Sequence, residues 1–393
     1  TPLYSSAASD VYKRQAIMVF VTAIGFFITP ALLGGRKETM ITQIIIDQVQ
    51  QTMNWEFAGA VSVLLLVVVL AVFALYDKIL GLSTMTGGSA SRPRTSSKPG
   101  LMRRAGEALL DLLASLSDRL FSLLPSRLRR SVSGTGQSRT LWWIVLAVLA
   151  FLSAPAFLMI PLSFDSGSGL TWPPKGFSLQ WYEQMFTSPV WMQAITRSLI
   201  VGVGTGLLAM LIGTPAAFLL VRADMRGKSA MLAFVLSPIV VPRMIIAVGM
   251  FYFFARVGLV GSTIGLILAH TVVAVPYVVI TMMAVLRNYD TRLDLAAQSL
   301  GAGPWSTLRF VTFPILSAGL MSSFLFAFAT SFDELTIALF ASGGLNATLP
   351  KQFWDEVTLQ ISPVIAAVST CLFIFIAALI WLADRLRRRS LAG

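Results

Sequence analysis

The sequence predicts an all-α polytopic membrane protein, and two observations carry that expectation. Of the 393 residues, 56% are hydrophobic and only 12% charged, whereas a solvated surface leaves a chain with about 25% charge. Uncharged or nearly uncharged stretches of about 20 residues or more recur along the chain, each able to cross a hydrocarbon core about 30 Å thick. They are continuously apolar rather than alternating with period two, which excludes a closed β-barrel. The balance of 30 Lys and Arg against 18 Asp and Glu gives +12. In a soluble chain that excess would raise nucleic-acid binding. Here the basic residues sit at span ends and in one linker, so no nucleic-acid partner is expected. The single cysteine, Cys371, lies in an apolar run, which excludes an internal disulfide and a cysteine-based metal site and leaves the redox compartment open.

In chain order, residues 1–15 are polar and unpatterned, and the string SSAASDVYKRQ at 5–15 looks like translated adapter sequence. We set this segment aside as non-native and expect the natural chain to extend further on that side. Eight spans follow, at 16–35, 57–76, 141–164, 198–221, 229–255, 257–286, 310–342 and 357–383. The fifth is interrupted by Arg243 and the seventh by Asp333 and Glu334. The linker at 83–140 begins and ends in Gly, Ser, Thr, Pro and Arg, the composition of a flexible connector. Its middle, 105–124, spaces Leu109, Leu112, Leu113, Leu116, Leu120, Leu123 and Leu124 along one helical face and stops at Pro125. With Arg103, Arg104 and Arg127 flanking it, this helix is expected to lie on the anionic inner leaflet, in contact with membrane lipids.

Charge between the spans fixes the orientation. The linker, the segments holding Arg222, Arg226 and Lys228, then Arg287, Arg292 and Arg309, and the tail with Arg385, Arg387, Arg388 and Arg389 are rich in basic residues. The alternate segments hold only Arg36 and Lys37, Lys175 and Arg197, Arg256, and Lys351. The linker and C-terminus are therefore expected in the cytoplasm.

Part of this pattern repeats. Residues 20–35, FVTAIGFFITPALLGG, align with 328–344, FATSFDELTIALFASGG, when Thr29 is set on Thr336. Ala31 then pairs with Ala338, Leu32 with Leu339, and Phe26 and Phe27 with Asp333 and Glu334. Each segment leads into a loop with one tryptophan, Trp55 or Trp354, and a final apolar span. Spans one and two are thus expected to repeat spans seven and eight. Two like units packed face to face would give a translocation path at their interface, the architecture of a transporter.

Between spans six and seven lies LAAQSLGAGPWSTLRFVTFP, residues 295–314. Ala296, Ala297 and Gly301 fit one short helix, Gly303 and Pro304 break it, and a second helix with Val311 and Phe313 is expected to run to Pro314. The pattern resembles the EAA loop of ABC-importer permeases, in which the loop is the coupling helix seated in a cleft of the ATPase subunit. Ala296, Ala297, Gly301 and Pro314 match; Val311 and Phe313 are apolar replacements. The leading glutamate is Leu295 here, with Asp294 one residue early, which puts a contact by that carboxylate in question. Residues 141–389 look like the second permease of spermidine/putrescine-type ABC importers, through PPKGFSLQWYEQMF at 173–186, SFDE at 331–334 and PVIAAVST at 363–370. Residues 16–82 look like the tail of the first permease of the same system, notably GFFITPALLGG at 25–35. The resemblance implies a type I ABC-importer permease fold of six helices at 141–389, preceded by two helices of a second like unit. It implies an ABC ATPase subunit, a periplasmic or extracellular solute-binding protein and a partner permease unit as partners, an inner-membrane location, and import of a polyamine or related small polar solute.

No phosphate-binding loop G-x-x-x-x-G-K-[ST] occurs in the sequence, so ATP and Mg are expected in the partner ATPase and no cofactor in this chain. Gly202, Gly204, Gly206 and Gly213 read as a helix-packing face. His270 lies in span six with no Cys, Asp or Glu near it in sequence, which favours a structural or path-lining role over a metal ligand. Arg243, Asp333 and Glu334 are the ionisable residues inside spans, where a charge at the bilayer centre costs about 2.5–3.5 kcal/mol or more. They are read as lining the substrate pathway, with a structural pair between Arg243 and one carboxylate as the bland alternative. Arg243 also admits an anionic or amino-acid-like solute. A scaffold or sensor whose loop merely binds a partner is the reading from another class. A membrane enzyme is disfavoured, because no His, Cys or paired-acid cluster is seen at either edge.

Overall fold

A computed structural model describes residues 19–20, 23–35, 37–80, 139–343, 346–359 and 362–392. The adapter-like segment 1–15 and the amphipathic stretch 105–124 lie outside the described residues. The helices are α1 (Ile28–Leu33), α2 (Ile41–Gln50), α3 (Trp55–Leu80), α4 (Arg139–Leu162), α5 (Gln180–Thr187), α6 (Pro189–Arg222), α7 (Lys228–Val240), α8 (Arg243–Val257), α9 (Thr263–Arg287), α10 (Arg292–Ser299), α11 (Pro304–Thr307), α12 (Phe313–Phe332), α13 (Thr336–Ala341), α14 (Leu349–Leu359) and α15 (Val364–Ala392). Among the described residues, five helices are long and apolar enough to cross a membrane, and α7 with α8 makes a sixth, bent span.

Several of the expected spans are not continuous. Span five breaks because Pro242 has no amide hydrogen and restricts Val241 to an extended backbone; α7 and α8 meet there at 99°. Span six starts later than 257, because Gly258 at φ +71° ends α8 and the Ser262 hydroxyl caps α9, accepting from the Gly265 amide at 2.9 Å. Span seven stops at Phe332 and restarts as the six-residue α13. Span eight begins at Val364, just after Pro363, rather than at 357, which belongs to α14.

The breaks give residues 28–80 and 336–392 a similar succession of helix lengths. Helices α1 and α13 have six residues each, α2 and α14 have 10 and 11, and α3 and α15 have 26 and 29. Their first residues, Ile28 and Thr336, Ile41 and Leu349, Trp55 and Val364, keep a constant offset to within one residue. These starts lie one or two residues off the register that sets Thr29 on Thr336, in which Phe26 and Asp333 are both exposed and Phe27 and Glu334 both buried. Two details differ from expectation. The connecting loops are largely helical, and the tryptophans are not equivalent: Trp354 lies within α14, whereas Trp55 opens α3.

The contacts divide the chain into two compact units. The larger spans 18–69, 183–362 and 374–393. Its centre is the trio α6, α9 and α12, packed against one another around Ala209, Ala217, Val278, Met282 and Leu316. In lipid such packing replaces the hydrophobic effect as the driving force, so backbones must approach closely. Gly206 and Gly213 permit this: a Cβ there would lie 2.7 Å from the Phe324 ring on α12 and 2.8 Å from Val278 on α9. The packing face read from these glycines is present. Helices α8 and α13 also pack together, and α14 lies on α6.

The smaller unit holds 70–182 and 363–373 with the N-terminal 17 residues. In it the chain after α4 turns on Asp165, whose buried carboxylate accepts the Lys175 amide at 2.9 Å and the Gly167 amide at 3.1 Å. The Trp181 indole donates to the Asp165 carbonyl at 2.7 Å, and the Phe164 and Phe177 rings stack at 4.7 Å. The amides of Gly167 and Lys175 hold the Asp165 carboxyl below its ordinary range.

Candidate functional site

Two places in the larger unit gather the residues singled out by sequence. The first lies where spans five and seven break. Arg243 is the first residue of α8 and Glu334 the residue before the N-cap of α13. The Arg243 guanidinium donates from Nη1 to Glu334 Oε2 at 2.8 Å, and Glu334 Oε1 accepts the Ile337 amide at 3.1 Å. One buried carboxylate therefore caps the restarted helix and ties it to the other broken span. Asp333 does not share this pair. It is exposed, while the Glu334 side chain is 0% and Arg243 42% accessible. The two acids are not successive positions on one helix: Asp333 closes α12 with φ −95° and ψ 7°, outside the helical region. The break, rather than the 100° step of a helix, sends them in different directions.

Beside the break, His270 on α9 is fully buried and its Nδ1 lies 2.8 Å from the Ser331 hydroxyl, which in turn donates to Thr205 on α6 at 3.2 Å. Among the described residues no group of His, Cys, Asp or Glu is arranged to hold a metal ion. Sequence reasoning missed Ser331 and Thr205. Small hydroxyl residues inside apolar spans were the available signal.

Residues 19–69 reach this region from the N-terminal side. Trp55 stacks on Phe251 of α8 at 3.6 Å, its carbonyl accepts the Tyr252 hydroxyl at 2.6 Å, and Phe340 of α13 meets it edge-on at 6.0 Å. Phe27 meets Trp354 at 5.4 Å, and the Thr42 hydroxyl satisfies the Phe26 carbonyl at 3.2 Å. The segment thus completes the wall around the breaks with aromatic faces.

The second place is the loop between α9 and α12. Helix α10 holds Asp294, Leu295, Ala296 and Ala297 and ends in a Schellman turn, with Gly301 at φ +87°, its amide on Gln298 and the Ala302 amide on Ala297. Gly301 is needed here for its backbone conformation. Its chain neighbours apart, no atom of the described residues lies within 4 Å of a Cβ built on it, so crowding is not the reason. The second helix does not stop at Pro314. Leu308–Thr312 widens into a π-turn, with Phe313 bonding back to Leu308, and the helix continues through Val311, Phe313 and Pro314 into α12. The wider turn accommodates a proline that lacks an amide hydrogen and would otherwise press on the carbonyl four residues earlier.

Asp294 answers the question left by its position. Leu295, where the pattern has glutamate, is 63% exposed, while Asp294 is 8% exposed and turned inward. Its Oδ2 accepts from Arg222 at 2.8 Å, and its Oδ1 from the hydroxyls of Tyr289 at 2.6 Å and Thr312 at 2.8 Å. Burial raises its carboxyl, but the bonds from Tyr289 and Thr312 and the charge of Arg222 outweigh that and hold it below the ordinary range. Arg222, read from sequence only as a topology signal, also lies over the Phe218 and Tyr289 rings at 5.1 and 5.0 Å.

A helical unit with paired broken spans and a helix–turn–helix between two of its long helices defines a type I permease, the membrane part of an ABC importer. The chain belongs to the family described as binding-protein-dependent transport system inner membrane component, whose profile matches residues 209–391. It is a multi-pass inner-membrane protein, and its relatives are transport permeases rather than enzymes. It is 30% identical to the spermidine/putrescine transport system permease protein PotC of Haemophilus influenzae, over 63% of this chain and 95% of that protein. It is 31% identical to the putrescine transport system permease protein PotI of Escherichia coli K12, over 59% of this chain and 85% of that one. The fold is also that of a chain in the crystal structure of a bacterial ABC transporter involved in the import of the acidic polysaccharide alginate, with a TM-score of 0.50 at 14% identity, covering 65% of this chain and 98% of the other.

Proposed function

We propose that this chain is the permease component of an ABC importer that moves polyamines, or a related small polar cation, into the cytoplasm. ATP hydrolysis in a separate subunit drives it, and a solute-binding protein outside the membrane delivers the solute. Residues 16–82 are the last two helices of a first permease unit, 83–140 a cytoplasmic linker, and 141–389 a second unit, so the partner unit is supplied in part by the same chain. The carrying observation is the split between the two carboxylates. Glu334 is neutralised by Arg243, which leaves Asp333 exposed at the end of α12, in a region to which residues 19–69 contribute aromatic rings. An ammonium group is attracted both to a carboxylate and to aromatic faces, and polyamine permeases are matched over nearly their whole length.

The test is uptake of labelled putrescine and spermidine by the transporter reconstituted with its ATPase and binding protein. Asp333→Asn is expected to insert normally and to lose cation uptake. Normal uptake by that variant places the site elsewhere. The half-exposed guanidinium of Arg243 favours one competing reading, an anionic or amino-acid-like solute. That reading prevails if Arg243→Ala abolishes uptake of such a solute while Asp333→Asn retains it.

A further inference from the structure

Three membrane helices converge on one carboxylate of the cytoplasmic loop. Arg222 is the last residue of α6, Tyr289 follows the end of α9, and Thr312 closes the π-turn that opens α12. All three donate to Asp294, and the same three helices form the packed centre of the larger unit. The opposite side of the loop presents apolar side chains to solvent, with Leu295 63%, Leu300 89% and Trp305 69% exposed. The loop therefore has an inner face fastened by charge-assisted bonds and an outer face with no partner among the described residues.

We infer that Asp294 is the positioning residue through which movement of the loop helix is carried into α6, α9 and α12. The inference rests on the reading of 294–314 as the ATPase-docking loop. Its physical basis is the stiffness of the joint. A short helix held only by apolar contact can slide over its support, whereas a carboxylate fixed by a guanidinium and two hydroxyls has one geometry, and charge-assisted bonds are the strong ones. Arg222 is itself confined by the two rings it lies over, so the joint has little slack on either side. Moving the acid from position 295 to 294 turns it by about 100° around the helix, from the face that meets a partner to the face that meets the core. The consequence is a division of labour: Leu295, Leu300 and Trp305 make the contact, and Asp294 transmits it.

The test uses the full chain with its ATPase, with Cys371→Ser to remove the native thiol and spin labels at positions 225 and 298, at the foot of α6 and on α10. In the unsubstituted protein, ATP should move both labels together and leave their separation unchanged. In Asp294→Asn, and in Tyr289→Phe combined with Thr312→Val, ATPase co-purification should persist while the separation broadens and shifts by several ångströms on ATP addition. Asp294→Glu, which keeps the charge, should restore most of the narrow distribution. A role confined to stability would lower yield and melting temperature without creating an ATP-dependent separation. If the separation stays constant in every variant, the joint does not exist; should Asp294→Asn fail to insert, the hydroxyl double variant decides alone. Trp305→Glu separates this from the reading beneath it. If that variant still retains the ATPase, the docking assignment fails, whatever Asp294 does.

Discussion

The carboxylate of Glu334 holds Arg243 through one oxygen and the Ile337 amide through the other, so a single buried side chain fastens the break in span seven to the break in span five. Removing the arginine strands a charge that cannot reach water. Arg243→Ala is expected to destabilise by about 1–3 kcal/mol, because it leaves the buried Glu334 carboxylate without its partner while the guanidinium it removes is itself half-exposed. Arg243→Ala with Glu334→Gln should recover part of that loss. Thermal unfolding in detergent measures both; equal melting points for the single and double variants would show that the pair contributes little.

Gly301 has a positive φ and open space around it, so its substitutions sort by backbone preference rather than by size. Gly301→Asn, tolerant of the left-handed region, should be close to neutral for stability, whereas Gly301→Val should cost about 1–2 kcal/mol. Gly301→Trp is expected to insert but to lose ATPase binding and transport, through the partner rather than through the fold. Unchanged co-purification and uptake with Trp would remove this turn from the docking surface.

Asp165 gives the loop after α4 a pH signature. A carboxyl held below its ordinary range in the folded state contributes stability that is fully present above the unfolded value, near pH 4, and is lost as pH falls through the folded value. The loop should be insensitive from pH 7 to about pH 4 and loosen only below it. Asp165→Asn should flatten that acid limb. Proteolysis of the 163–182 loop against pH reads the effect, and loosening already at pH 6 would point to a different group.

Topology can be checked directly. A cysteine at Lys175 should react with an impermeant reagent from outside, and one at Arg309 should not, in a Cys371→Ser background. Labelling at 309 in sealed cells would invert the assignment.

The helical class and most spans were legible in the sequence, because hydropathy reports on composition and local pattern. The breaks were harder to read. Pro242 announced one, but whether a proline kinks a helix or ends it depends on what the neighbouring backbone can bond to. Nothing near Phe332 announced the other, since the group that caps α13 is the side chain of Glu334, an acid whose position in an apolar run suggested only a site. The inward turn of Asp294 was hidden for a related reason. Its partners Arg222, Tyr289 and Thr312 lie 72, 5 and 18 residues away, and only Arg222 had been singled out, as a topology charge.

All six residues of α13 are buried, whereas the apolar window of α4, 142–162, contains no buried residue. The two helices are therefore open to sequence drift to very different degrees. On α4 fewer side chains are held by a neighbour, Phe157 against Phe373 being one that is, so exchanges among Leu, Ile, Val and Phe at its other positions should cost less. On α13 no position is idle. Thr336, Ile337, Ala338, Leu339, Phe340 and Ala341 each fill a place defined by another side chain, and a change at one needs a matching change across the contact, as between Phe340 and Trp55. In a saturation library this short helix should stand out as the least permissive turn and a half of the chain, while the much longer α4 tolerates more of the apolar exchanges.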